Sequence, residues 1–192
     1  MPRPHLPDLP VAPPLPDEVP EPIRSRAAIG GHPLHPMLIH FPVAALIGLV
    51  AVDLGWWLSA DPFWARAGLW LAGVGAGGGW LASAIGLVDL LTVPRIREKI
   101  TAWCHALIAV MMLSAATLNW LLRLRAEDGM ALAGPWLSLL TALLIGLAGY
   151  LGGRLVYEHA VGVHHRSRPV EPHVPPGAEA AEAAEADGGR GG

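Results

Sequence analysis

The chain has 192 residues, a hydrophobic fraction of 53% and a formal net charge of -3, with a mean hydropathy of +0.43. That apolar content exceeds what a soluble domain of this size needs for one core, and the small charge argues against nucleic acid or an acidic substrate as partner. A single cysteine, Cys104, excludes an internal disulfide, a CxxCH haem attachment and any multi-cysteine zinc or iron–sulfur centre.

The prolines crowded into 1–22 remove amide donors and push their neighbours into extended conformations, so residues 1–30 are predicted to be a disordered arm. The arm has no continuous apolar run and is not a secretory signal peptide. Four long stretches with few or no charges follow, at 37–58, 67–88, 100–122 and 130–153, the first broken only by Asp53. Each reaches the roughly 20 residues that carry a helix across about 30 Å of hydrocarbon. Period-two alternation is absent, which favours helices over a β-barrel. The expected fold is all-α: an integral membrane four-helix bundle in up-down-up-down order over 31–163, with helices at about 37–58, 64–91, 101–124 and 131–157. Residues 167–192, ending GAEAAEAAEADGGRGG, carry almost no large apolar side chains and are predicted to be a disordered tail.

Up-down order puts the start of the first helix, the end of the second, the start of the third and the end of the fourth on one side, called here the near side. Arg24, Arg26, Arg95, Arg97, Lys99, Arg154, Arg166 and Arg168 flank helix ends there, against Arg66, Arg123 and Arg125 on the far side. The positive-inside rule then makes the near side, with both termini, cytoplasmic. Trp56, Trp57, Trp64, Trp120 and Trp136 fall near far-side helix ends, where an aromatic belt is expected.

Small residues recur at steps of three or four in the second helix (Gly68, Ala72, Gly75, Gly79, Ser83, Gly86) and the fourth (Ser138, Ala142, Gly146, Gly149, Gly153). Close helix packing is the expected reason, and room for a flat cofactor is the alternative. GVGAGG at 73–78 fits a dinucleotide-binding pattern, but it sits mid-membrane with no preceding strand, so that reading fails on context.

Nine histidines are present, and His32, His35, His40, His105, His159, His164 and His165 all fall on the near side. With Pro36 in the first turn of its helix, His40 lies about one turn inside the first helix, level with His105 in the third and with Asp89 near the end of the second. Ionisable groups within a bilayer are costly and usually face inward to act. Helices 1 and 3 of an up-down bundle are diagonal, about 11 to 14 Å apart, and two histidine arms with two metal–nitrogen bonds span about 13 Å. His40 and His105 therefore form a candidate pair of axial ligands to a haem b. The competing reading is a bare zinc, copper or iron ion held by His35, His40, Asp89 and His105. A third is that the imidazoles only hydrogen-bond to neighbouring helices and fix register. Near the far side, Asp53 and Asn119 are expected to share an interhelical hydrogen bond, and Asn119, Met112 and His105 lie on one helix face at steps of seven.

GHPLHPMLIHFPVA at 31–44, GLVDLLTVP at 86–94, LNWLLR at 118–123 and GYLGGRLVYEHAVGV at 149–163 together resemble the DUF2231 family of predicted bacterial membrane proteins. The resemblance implies a four-helix membrane domain without an assigned activity. It marks His32, His35, His40, Asp53, Asp89, His105, Gly152, Gly153, Tyr157 and Gly162 as motif positions and gives no role to any of them. Some family members are joined to Rieske iron–sulfur domains, which makes a Rieske-type protein a candidate redox partner beside the lipid bilayer. The expected function is electron transfer through one bis-histidine haem near the cytoplasmic face. The alternative is a noncatalytic accessory subunit. No activated serine, paired carboxylates or phosphate-cradling loop points to an enzyme.

Overall fold

A computed structural model describes residues 21–126 and 132–163. Two two-residue strands, β1 (Ala28–Ile29) and β2 (His32–Pro33), form a hairpin. They are followed by the long helices α1 (Leu34–Ser59) and α2 (Pro62–Thr92), the short α3 (Pro94–Arg97), and the long helices α4 (Ile100–Arg125) and α5 (Gly134–Tyr157). All four long helices are apolar and long enough to cross a membrane. The described residues are all-α apart from the hairpin and one isolated bridge, as the composition implied.

Local chemistry sets the helix ends. α1 stops where Ala60 turns left-handed (φ 52°) and returns its N–H to Trp56 O. Asp61 then caps α2 by accepting from Phe63 N at 2.8 Å, with Pro62 preset at the first helical position. So short a connection leaves α1 and α2 antiparallel neighbours. α2 ends before Pro94, which starts α3. Around the bundle α1 packs on α2, α2 on α4, α4 on α5 and α5 on α1. That order makes α1 and α4 one diagonal pair and α2 and α5 the other.

The buried positions repeat at alternating steps of three and four. They run through Pro42, Leu46, Leu49 and Asp53 in α1, and Ala65, Gly68, Ala72, Gly75, Gly79 and Ala82 in α2. In α4 they are Met112, Ala116, Asn119 and Arg123, and in α5 Gly134, Ser138, Thr141, Ile145 and Ala148. A repeat of 3.5 residues keeps one seam of each helix turned to its partners in a left-handed bundle. The outward faces carry large apolar side chains, with Phe41, Trp70 and Leu143 each more than 70% exposed. Such a surface is a liability in water and the ordinary one in lipid.

The small-residue stripe of α2 is a packing seam. A Cβ on Gly68 would fall 2.6 Å from Arg123 Nη1, one on Gly75 2.5 Å from Leu46 Cγ, and one on Gly86 2.9 Å from His35 Nδ1. The stripe of α5 behaves differently. Gly146 and Gly149 are exposed, with nothing within 4 Å of an added Cβ. Each follows an inward residue, Ile145 or Ala148, by one position and is therefore turned about 100° away from the seam. The tryptophans also divide. Trp57 and Trp136 are exposed, whereas the Trp64 and Trp120 rings lie over Gly55 and Gly73.

Residues 21–30, expected to belong to a disordered arm, are ordered, and residues 1–20 lie outside the described residues. Between Pro22 and Pro33 there is no proline, and Ile23 is 3% exposed in a cluster with Leu90, Val93, Ile96 and Ala102. Its backbone bridges the chain beyond α5, with Ile23 N donating to Ala160 O at 3.0 Å and Gly162 N donating to Ile23 O at 2.8 Å. The hairpin turns through Gly30 (φ 58°) and Gly31 (φ 84°), two successive left-handed residues of the kind a tight hairpin turn requires. Residues 21–33 thus form a strap across the near end of the bundle. The C-terminal tail, with His164, His165, Arg166 and Arg168, lies outside the described residues.

Candidate functional site

Polar side chains inside the bundle gather in two layers. In the near layer His35 in the first turn of α1 and His105 in α4 approach across the diagonal, with ring centroids 6.3 Å apart and ring planes at 86°. Each imidazole is anchored on a third helix. His35 Nδ1 donates to Ala82 O of α2 at 2.8 Å, and His105 Nδ1 donates to Ala148 O of α5 at 2.9 Å. A carbonyl only accepts, so each ring carries a proton on Nδ1, and in the neutral ring the lone pair is then on Nε2. The two nitrogens lie on opposite edges of the ring, which turns each Nε2 away from its carbonyl. Glycines make the room: a Cβ on Gly86 would fall 2.9 Å from His35 Nδ1, and one on Gly152 3.3 Å from His105 Cε1.

The pair is therefore His35–His105, and not the expected His40–His105. α1 begins at Leu34, three residues before the start read from the sequence, so His35 is already helical. Counting back by sevens from the buried Leu49 and Pro42 reaches His35. His40 falls on the strip of Met37, Phe41, Ala44 and Ile47, and all five residues are exposed. The expected metal quartet does not assemble either. Asp89 Oδ2 accepts from Ser25 Oγ at 2.5 Å, and Asp89 Oδ1 accepts from Arg26 N at 2.7 Å and Ala27 N at 3.0 Å. Its carboxylate is occupied by the strap. Among the described residues no three of His, Cys, Asp and Glu come together as a metal site. His32 Nδ1 bonds to Gly30 O at 3.1 Å in the hairpin, and Cys104 and Tyr157 face outward.

The far layer ties all four helices. Asp53 of α1 is 4% exposed and Arg123 of α4 1%. Arg123 Nη2 donates to Asp53 Oδ1 at 2.7 Å and to Oδ2 at 2.8 Å. Arg123 Nε donates to Asn119 Oδ1 at 2.9 Å, Asn119 Nδ2 to Ser138 Oγ at 2.9 Å and to Gly134 O at 3.2 Å, and Ser138 Oγ to Asp53 Oδ2 at 2.6 Å. α2 contributes Gly68, where a Cβ would fall 2.6 Å from Arg123 Nη1. Arg123 was counted among the far-side flanking charges, but it occupies an inward seam position and stands between Asp53 and Asn119. The signal was available, since Arg123 follows Asn119 by four residues on the face already marked by His105 and Met112. Thr141 Oγ1, one turn beyond Ser138, is buried with no hydrogen-bond partner among the described residues.

A four-helix bundle with a lipid-compatible outer face and polar groups held in two internal layers is a multi-pass membrane protein. The model of a family described as "Predicted membrane protein (DUF2231)" matches residues 31–165, and the chain belongs to that family. The match runs from the hairpin through α5 and takes in both layers. No curated protein and no solved structure matches the chain.

Proposed function

We propose that this membrane protein holds one b-type haem between His35 and His105 and passes single electrons at its near face. The observation that carries the reading is the His35–His105 pair: two inward imidazoles on diagonal helices, each with its Nδ1 proton committed to a backbone carbonyl. Metal-ligating histidines characteristically donate their second nitrogen in this way, which fixes the tautomer and raises the basicity of the free one. Two metal–nitrogen bonds of about 2 Å, with about 1 Å from each ring centre to its nitrogen, put axial imidazole centres on the order of 6 Å apart. The observed centroid separation of 6.3 Å, with ring planes at 86°, is compatible with that spacing. Haem iron, with four porphyrin nitrogens of its own, supplies one-electron chemistry and asks the protein for only two ligands. A bare zinc ion asks for three or four, and the near layer offers two. This favours haem over a metal-ion site.

The near side is read as cytoplasmic in a bacterial cytoplasmic membrane. With Arg123 buried, only Arg66 and Arg125 flank the far ends, against Arg24, Arg26, Arg95, Arg97, Lys99 and Arg154 at the near end. An electron carrier meeting this face, Rieske-type or otherwise, would then approach from the cytoplasm. A second reading, a noncatalytic accessory subunit, draws on the fit of each imidazole over a glycine and onto a carbonyl, which pins α1 to α2 and α4 to α5 without any cofactor.

Purified protein from haem-sufficient cells separates the two. A Soret band with split α and β peaks on reduction, lost in both His35→Ala and His105→Ala, supports the haem. A colourless protein that takes up no added haemin supports the accessory role.

A further inference from the structure

Asp89 is a charged residue near a membrane surface whose carboxylate meets no imidazole, no cation and no other acid among the described residues. It is nevertheless fully engaged, and its partners lead back to the site by a chain of contacts. Asp89 Oδ1 accepts from the backbone amides of Arg26 (2.7 Å) and Ala27 (3.0 Å), and Oδ2 accepts from Ser25 Oγ (2.5 Å). The same Ala27 turns its carbonyl to Leu34, whose N–H donates to it at 2.8 Å. Leu34 is the first residue of α1, and Pro33 before it makes no side-chain cap. The first N–H groups of a helix have no partner within the helix. Here Ala27 O provides one, and Asp89 fixes where Ala27 lies. His35 is the next residue.

The same seam of α2 acts on His35 three times. Ala82 gives the carbonyl that holds Nδ1. Gly86, four residues on, gives the space that a Cβ would take from the ring. Asp89, three further on, anchors the strap from which α1 starts. Steps of four and three keep all three on the face turned to α1. His105 has counterparts of the first two in Ala148 and Gly152. It lies inside a continuous helix, however, and needs no strap to set its backbone.

We infer that Asp89 is a positioning residue for His35, acting through residues 25–33 of the strap to fix the start of α1 and hence the depth and tautomer of that one imidazole. The value of a positioned His35 rests on the haem reading, but the positioning itself does not, so the test uses the full chain without haem. In nanodiscs, with isotopically labelled histidine, the ring-nitrogen shifts of His35 and His105 report their tautomers separately, each assigned by its His→Gln variant. Asp89→Ala should cost His35 its single Nδ1-protonated state while leaving His105 unchanged. Asp89→Asn, which keeps an oxygen to accept from both amides, should stay close to the native protein. Ser25→Ala leaves α2 untouched and should move His35 in the same direction by less. An unchanged His35 in Asp89→Ala, an equal change at both histidines, or an Asp89→Asn variant no better than Asp89→Ala would each overturn the inference. Native protein that shows these shifts but never binds haem overturns the haem reading alone.

Discussion

Arg123 holds both carboxylate oxygens of Asp53 from the diagonally opposite helix, at 2.7 and 2.8 Å, with Asn119 and Ser138 completing the ring of donors and acceptors. Taking two charges out of water is costly, and their attraction repays it only when the remaining hydrogen-bonding positions are also filled. Removing one partner leaves the other buried and uncompensated. Asp53→Leu and Arg123→Leu are each expected to cost about 3–5 kcal/mol, whereas the double variant Asp53→Leu/Arg123→Leu should cost clearly less than the sum of the two. Reversible unfolding in mixed micelles measures the cycle. Additive costs would mean that the two residues are not coupled.

His40→Ala should be nearly silent. The side chain is exposed to the surroundings of α1, so stability should move by no more than about 0.5 kcal/mol. Any haem spectrum should keep its peak positions. Loss of the spectrum in His40→Ala, with His35→Ala retaining it, would return the ligand role to His40.

An alanine scan of the glycines should separate seam from surface. Gly75→Ala drives a methyl against Leu46 and is expected to cost about 1–3 kcal/mol. Gly86→Ala presses on the His35 ring and should displace it from Ala82 O. Gly77→Ala and Gly146→Ala meet nothing within 4 Å and should stabilise their helices by about 0.5–1 kcal/mol through reduced backbone freedom in the unfolded chain. Melting of each variant in one detergent gives the ranking.

A phosphatase fused after residue 192 should be inactive and a fluorescent protein at the same place should be bright, because the near side carries the greater basic charge. The same phosphatase inserted at 60–61 should be active. The reverse pattern would place the His35–His105 layer at the opposite membrane face.

At the end of α5, Arg154 Nη2 lies 2.6 Å from Glu158 Oε2. The hydrogen bond from the guanidinium, followed by its charge, holds the Glu158 carboxyl below the ordinary glutamate range. A carboxyl with a lowered folded-state pKa contributes its stabilisation above the unfolded value and loses it as pH falls through the folded one. Acidification should therefore fray the last turn of α5, and Glu158→Gln should remove that pH dependence. Carboxyl resonances followed from neutral pH into the acid range provide the check.

The class of the molecule was open to view in the sequence because lipid imposes length and apolarity on every span, and those survive any uncertainty about a helix start. The site depended on a finer quantity, the rotational phase of each helix, which a shift of three residues at Leu34 does not change but a wrong choice of face does. His105, Met112 and Asn119 already declared the inward face of α4, and one further step reached Arg123. Applied to α1, the same count from Asp53 and Leu49 selects His35 and leaves His40 outside. Proximity to the middle of the membrane favoured His40, and periodicity was the better guide. Asp89 was legible as an inward acid but not as a strap anchor, because its partners are backbone amides, which carry no signature in side-chain identity.

Between His105 and Asn119 run 14 residues of α4, about 21 Å of helix. The centre of that interval is filled by Leu46, Ala76, Met112, Leu113, Ala116 and Ile145. A hopping proton needs successive donors and acceptors at hydrogen-bonding distance, and these six apolar side chains supply none. The cluster therefore parts the two polar layers chemically as well as in space. If the His35–His105 pair works as proposed, a proton that accompanies its chemistry has its nearest exchange with solvent on the side where the strap lies.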